Sequence, residues 1–385
     1  MTYCTNGRTS STAIAILLTG GLVLTGCSKS AKSTSSSSSA GSAGASATAS
    51  DTAGSSSAAS TPAATEASQQ VQTSSAAGGG CTAAKYGAPK ITLKGATIGF
   101  SQSESTSNPF RDTETKSVTA EAARVGVKLI QRNANGNVAQ QNTDIQNMIA
   151  QGAKALIVAP ENSDGLAAAF AQAKAKHIPI LTIDRTVTGK ACSDFIGFIG
   201  SNFLGQAKIA ADDLGTAMGG KGKVAILEGT SGNNVAQERT SGFTAEIKAK
   251  FPNIKVVASQ TANFDQATGQ KVTAQILQSH GDITGLYAEN DGMALGALQA
   301  MKAAGKTAGK TIKVVSIDGI RQAVQGVVSG QLVSVIETNP RFGPLAFKTL
   351  TDFYSGKGVA TTVIIADHHF TKANAAAALK NGDVY

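Results

Sequence analysis

Between Ala96 and Ile365 the chain alternates short β-branched or apolar runs with segments of helical period, and this constrains the fold more than any other feature. The runs are Thr97 to Ser101, Val127 to Gln131, Ala155 to Ala159, Ile180 to Asp184, Lys223 to Glu228, Ile254 to Ser259, Gly285 to Ala288, Lys313 to Ile317 and Leu332 to Glu337. Near-continuous apolar strands separated by amphipathic helices belong to parallel sheets covered on both faces, so the expected class is α/β. Helix punctuation agrees. Asn108-Pro109 and Asn339-Pro340 each offer a capping Asn before a Pro at the first helical position, Asp291 caps Met293 to Ala304, and Gly305 ends that helix. The strands are too many for one small sheet, and Gly200-Ser201-Asn202, after Phe195 to Ile199, reads as a crossing into a second lobe.

Upstream of this body, Arg8 precedes an apolar stretch from Ile14 to Leu24 that is too short for a membrane-spanning helix and matches a signal-peptide core. It ends in Leu24-Thr25-Gly26-Cys27, a tetrad that resembles the bacterial lipobox. Residues 1–26 are therefore read as a lipoprotein signal peptide and Cys27 as the lipidated first residue of the mature chain. The alternative is an ordinary signal peptide with a chance Cys. Residues 27–85 are read as a tether, because Ser28 to Gly80 is almost entirely Ser, Ala, Thr and Gly and cannot bury enough apolar surface to offset ordering entropy. As a coil it averages roughly 40 Å end to end. Of four cysteines, Cys4 leaves with the signal and Cys27 is acylated. Cys81 and Cys192 remain as an even pair in an oxidising setting, expected to be bridged, with two free thiols as the alternative. The expected location is extracytoplasmic, lipid-anchored to the cell membrane.

Composition removes several classes. Hydrophobic residues make up 41% and charged residues 15%, which suits neither a highly charged disordered chain nor a polytopic membrane protein. The net charge of +9 is spread along the chain without a basic block or aromatic interleaving, so no nucleic-acid partner is expected.

Ligands of open parallel sheets bind beyond the carboxyl ends of the strands. The residues there are Glu104, Asn108, Phe110 and Arg111; Asp184 and Arg185; Arg239; Phe264; Asn290; Asp318; and Glu337 with Asn339. Carboxylates, amides and guanidinium groups offer the paired bonds that vicinal hydroxyls of a sugar accept, and phenyl faces cover its C–H surfaces. Singly, each has a bland reading as helix cap, solvated charge or core ring. Their convergence at one edge favours a binding site.

Five blocks in order carry a family resemblance: Ile98-Gly99-Phe100-Ser101-Gln102; Leu181-Thr182-Ile183-Asp184-Arg185; Glu228-Gly229-Thr230 with Glu238-Arg239 and Gly242-Phe243; Glu289-Asn290-Asp291 with Met293; and Ser316-Ile317-Asp318-Gly319. From about Ile91 onward the chain resembles the type I sugar-binding proteins of bacterial ABC importers, of the ribose and galactofuranose kinds. Ser101-Gln102 and the Glu337 block followed by Gly343-Pro344 and Ala346-Phe347 favour the galactofuranose kind. The resemblance implies two Rossmann-like lobes joined by a three-crossover hinge, with lobe one at 86–199 plus 338–366 and lobe two at 200–337 plus 367–385. It implies a monomer that closes on a monosaccharide and presents it to a membrane permease and its ATPase, without a cofactor and without catalysis. It puts Asn108, Phe110, Asp184, Arg185, Arg239, Phe264, Asn290 and Asp318 on ligand-contacting positions. Arg111 stands where the ribose kind has an aromatic, Ala159 where it has Asn and Glu337 where it has Gln, so a ligand other than ribose is expected.

Rival chemistries fit less well. Gly305-Lys306-Thr307 and Gly309-Lys310-Thr311 lack the upstream glycine of a phosphate-binding loop, having Ala300 and Ala304 there. Asp367-His368-His369 has no further ligand at suitable spacing, so no metal site is expected. Asp184 and Asp318 as an acid and base pair would make a glycoside-processing enzyme, the weaker alternative. A sugar sensor presenting its closed form to a membrane receptor keeps the fold and changes only the output. A sugar-responsive repressor is excluded, because the signal and tether occupy the place of its DNA-binding domain.

Overall fold

The computed structural model describes residues 71–76 and 80–385. The signal segment, Cys27 and the tether as far as residue 70 lie outside the described residues. The first lobe opens with β1 (Val71–Ser75) and α1 (Ala83–Tyr86), then alternates β2 (Thr97–Gln102), α2 (Pro109–Val125), β3 (Lys128–Asn133), α3 (Val138–Ala150), β4 (Ala155–Val158), α4 (Ala167–Ala175), β5 (Ile180–Ile183) and β6 (Gly197–Gly200). The chain crosses into the second lobe with α5 (Phe203–Ala217), β7 (Lys221–Glu228), α6 (Asn234–Lys250), β8 (Asn253–Thr261), α7 (Gln266–Ser279), β9 (Gly285–Ala288), α8 (Asp291–Ala303), β10 (Lys313–Asp318), α9 (Arg321–Ser329) and β11 (Ser334–Glu337). It returns with α10 (Gly343–Tyr354) and β12 (Thr362–Ile365), and crosses a third time to β13 (His369–Thr371) and α11 (Ala375–Asn381).

Two sheets result, in the orders β1-β12-β6-β5-β4-β2-β3 and β13-β11-β10-β9-β7-β8. Every pairing is parallel except β1 with β12 and β13 with β11. Strands β4, β5, β9 and β11 are buried along their whole length, as sheets covered on both faces require. Helices shield each side: α2 packs on α10 in the first lobe, α5 on α6 and α7 on α8 in the second.

Several local expectations change. Residues 71–75 and 81–85 belong to the folded body and not to the tether. Val71 to Ser75 satisfies the open edge of β12, with Val71 opposite Ile365 and Ser75 opposite Thr362. All five side chains are exposed, so no apolar alternation marked the strand. Cys81 is buried, pairs its backbone with Val359, and has its sulfur 2.08 Å from that of Cys192 with Cα atoms 5.2 Å apart. Thr82 caps the short helix that follows. Asn108 caps α2 as expected, accepting from the Phe110 amide at 2.9 Å ahead of Pro109. The cap of α8 is Asn290, one residue before the expected Asp291. Asn339-Pro340 does not cap α10, whose N-cap is Phe342. Helix α10 begins at Gly343, and the Asn339 side chain turns back to accept from the Arg341 amide at 3.0 Å.

The three crossovers meet at Asp367. Its carboxylate accepts from the Ser201 hydroxyl (2.9 Å), the Asn339 amide (3.3 Å) and the Gln206 side chain (2.9 Å), tying all three strands of the hinge together. Burial pushes this carboxyl up to about 7.

Candidate functional site

The carboxyl ends of β2, β5, β7, β9 and β10 converge on a small chamber between the lobes, lined by Glu104, Asn108, Phe110, Arg111, Asp184, Arg185, Val235, Arg239, Phe264, Asn290, Asp318 and Thr338. Ten of the twelve strand-end residues expected there are in that lining. Asn339 is not, and neither is Glu337. Although it ends β11 at the expected edge, its carboxylate accepts from the His368 amide at 3.0 Å and pairs with the His368 ring, so it braces the third crossover. His369 is likewise committed, with Nε2 2.6 Å from Asp213. Among the described residues no group of three or more His, Cys, Asp or Glu is arranged to hold a metal ion.

The first lobe contributes an ion-pair lattice. The Arg111 guanidinium meets Glu104 at 3.1 Å, Glu114 at 2.8 Å and Asp184 at 2.8 Å. Arg185 meets Glu104 at 2.6 Å, Glu161 at 3.4 Å and Asp184 at 3.7 Å. Both arginines are buried. Two guanidinium groups cannot satisfy four carboxylates equally, and the acids separate accordingly. Burial pushes the Glu104 carboxyl up, but Arg185 and Arg111 outweigh it and hold it down at about 2. For Glu114 and Glu161 burial wins over Arg111 and Arg185 respectively, and each is raised to about 7.

The second lobe is built differently. Arg239 donates to the Glu289 carbonyl, to Thr338 Oγ1 at 2.7 Å, to Gln206 Oε1 at 3.2 Å and to Asp318 at 3.3 Å. Burial dominates over Arg239 at Asp318 and raises it to about 7. Asn290 caps α8 and donates to the Phe264 carbonyl at 3.1 Å, which fixes the ring that the Arg185 guanidinium faces at 5.4 Å across the cleft. On the first lobe, Arg111 lies over Phe110 at 4.9 Å.

Three of these residues sit in backbone conformations that side chains other than glycine avoid: Asp184 at φ 61°, Phe264 at φ 56° and Asp318 at φ 136°. Such strain costs on the order of 1 to 3 kcal/mol per residue and persists where surrounding structure imposes it. Here it turns two carboxylates and a ring into the cleft. At the rim the lobes also touch directly, through Ser163 N to Gly232 O at 2.9 Å and Thr186 N to Asn234 Oδ1 at 3.1 Å. Within the chamber the Nε atoms of Arg185 and Arg239 are buried without a hydrogen-bond partner among the described residues, one on each wall.

Reading strand ends in sequence missed Thr338, Glu161, Glu114 and Gln206. Thr338 and Glu161 follow β11 and β4 closely and fall under the same strand-end rule. Glu114 and Gln206 lie inside helices, where polar residues read as surface.

Two lobes of parallel α/β structure with a chamber at the strand ends define a hinged binding protein of the type I periplasmic class. Residues 98–358 match the family model described as periplasmic binding protein domain, and the chain belongs to that family. It is 35% identical over 257 residues to the ribose import binding protein RbsB of Haemophilus influenzae, covering 66% of this chain and 85% of that one. It is 32% identical over 263 residues to the galactofuranose-binding protein YtfQ of Escherichia coli, covering 67% and 81%. Among solved structures, it is similar to a Mycobacterium smegmatis protein in complex with β-D-fucofuranose (TM-score 0.72, 33% identity, 75% of this chain and 95% of that). It is equally similar to the arabinose transporter's binding component from Shewanella sp. ANA-3, bound to L-arabinofuranose (TM-score 0.71, 33% identity, 74% and 95%). The family consists of extracytoplasmic, non-enzymatic components of transport systems.

Proposed function

We propose that this chain captures a monosaccharide in its furanose form between its lobes and delivers it to an ABC permease, and that it does so as a lipoprotein held to the membrane through Cys27. The observation that carries the reading is the chamber itself: a carboxyl and a guanidinium on each wall, Asp184 with Arg185 against Asp318 with Arg239, framed by Phe110 and Phe264. This is the chemistry of vicinal hydroxyls on a ring with two C–H faces. Of the relatives named above, two are described with furanoses bound and a third as a galactofuranose-binding protein, which supports the furanose form. Closure follows because sugar hydroxyls bonded by both walls favour the closed state by contacts absent from the open one. Bridging of Cys81 to Cys192 in the exported protein is part of the same proposal; two alkylatable thiols in unreduced, denatured material would contradict it.

A thermal-shift screen followed by calorimetry with L-arabinose, D-galactose, D-fucose and D-ribose tests the sugar reading. A ligand at 100 times its dissociation constant adds about 2.7 kcal/mol to stability. Lys302, exposed on α8, gives a control, since Lys302→Ala should bind as the unchanged protein does. No stabilisation by any sugar would refute the proposal, and release of a modified sugar at turnover rates would also do so. For the anchor, Cys27→Ala should leave the membrane fraction.

A further inference from the structure

Tyr385 packs against the hydrophobic cores of both lobes. Its hydroxyl donates to the Asp318 carbonyl at 2.9 Å and lies 3.3 Å from the Thr338 carbonyl. Both line the chamber, Asp318 at the end of β10 and Thr338 just after β11 where the second crossover begins, and they are themselves joined by the Thr338 amide donating to the Asp318 carbonyl at 2.8 Å. The Tyr385 ring meets the Phe110 ring edge-on, with centroids 6.2 Å apart and planes at 70°. Its own place is fixed from both sides. The Arg321 amide, at the start of α9, donates to the Tyr385 carbonyl at 2.7 Å. Arg341, beyond the second crossover, lies over the ring at 5.7 Å and donates to the Val384 carbonyl at 3.3 Å.

We infer that Tyr385 is a positioning residue of the binding site: it holds the strained Asp318 backbone and the Phe110 ring in register across the two lobes. The need is physical. Asp318 at φ 136° is unfavourable for a side-chain-bearing residue, and only outside contacts keep it there. One side of that restraint is Asp291, whose carboxylate accepts from the Gly319 amide at 2.7 Å and the Ile320 amide at 2.8 Å. Tyr385 supplies the other side at the carbonyl of Asp318 itself. Because its ring touches Phe110 on the first lobe, the same residue links the orientation of a second-lobe carboxylate to a first-lobe aromatic.

The inference rests on the sugar reading for its consequence but not for its test. Tyr385→Phe keeps the ring on Phe110 and removes only the hydroxyl, so the fold survives. In the sugar-free full chain, amide hydrogen exchange should quicken in peptides covering Asp318 to Ile320 and Thr338, and stay unchanged at Gly285 to Ala288 in β9. For whichever of L-arabinose, D-galactose, D-fucose or D-ribose binds the unchanged protein, affinity should fall about threefold to tenfold, the range expected for one hydrogen bond. If none of these sugars binds the unchanged protein, the sugar reading fails while the exchange result still decides the role of Tyr385. Exchange at Asp318 to Ile320 and Thr338 that matches the unchanged protein overturns the inference, including where the only effect is a lower melting temperature.

Discussion

Arg111 and Arg185 on the first lobe face four carboxylates, whereas Arg239 on the second faces one carboxylate and otherwise a carbonyl, an amide and a hydroxyl. The two walls of one chamber therefore reach rigidity by different means. On the first lobe the charges hold each other, and every member is supplied by that lobe. On the second, Arg239 is held by Gln206 and Thr338, and Gln206 also donates to Asp367 and to the Glu337 carbonyl at 2.9 Å. The second wall is thus wired to the hinge through Gln206, while the ion pairs of the first close on one another within their own lobe. A ligand that engages Arg239 and Asp318 pulls on groups joined to all three crossovers, while one that engages Asp184 and Arg185 meets a surface already set.

Breaking the lattice should have the largest effect. Arg111 stands where the ribose kind has an aromatic, which invites Arg111→Phe as a change of specificity. The structure says otherwise, because the guanidinium is spent on Glu104, Glu114 and Asp184, and its loss leaves buried carboxylates facing one another. Removing one partner of a buried ion pair typically costs about 3 to 5 kcal/mol. Arg111→Phe should lose stability on that scale, read by denaturant unfolding without sugar, and this loss should exceed its effect on binding. Wild-type stability in the variant would show that the lattice does not hold the first wall.

On the second wall the order reverses, with binding suffering more than folding. Asp318 has Arg239 as its charged partner, and Arg239 keeps three neutral acceptors when Asp318 is removed. Asp318→Ala should weaken sugar binding by roughly ten- to a hundredfold, the scale of a hydrogen bond to a charged group, while its unfolding curve stays near that of the unchanged protein. Calorimetry beside circular dichroism makes the comparison. Equal losses of stability in Arg111→Phe and Asp318→Ala would erase the distinction between the walls.

How much of this was legible before the structure follows the same division. Strand ends are marked by apolar runs that stop, so Asp184, Arg185, Asn290 and Asp318 could be found from sequence, as could the Asn108 cap ahead of Pro109. What sequence could not show is which charges neutralise which. Arg111 lines the chamber as expected, but its three carboxylates could not be foreseen because they come from a loop, its own helix and another strand's end. Glu337 looked like a site residue because it ends a strand, but whether a strand end faces the cleft or the hinge depends on sheet order, and β11 lies beside β13 at the sheet's margin. β1 was invisible for a different reason. An exposed edge strand is specified by the backbone groups it satisfies, and Val71 to Ser75 differs little in composition from the tether before it.

The smallest effect sharpens the reading of the lattice itself. Glu161 stands at its edge, with burial raising its carboxyl to about 7 and Arg185, 3.4 Å away, only partly offsetting this. A carboxyl that is harder to ionise folded than unfolded keeps its proton in the native state over a range where the unfolded chain has lost it. Stability then falls as pH rises from the ordinary glutamate range near 4.5 to about 7, and levels off above. Glu161→Gln keeps an oxygen for Arg185 and removes the titration. The variant should match the unchanged protein at pH 4.5 and exceed it by on the order of 1 kcal/mol at pH 8, as sugar-free unfolding curves at the two values would record. The opposite sign, with Glu161→Gln weaker at pH 8, would mean that Glu161 is ionised and needed by Arg185. The first wall would then be a fully charged lattice and not one relieved of charge at its margin.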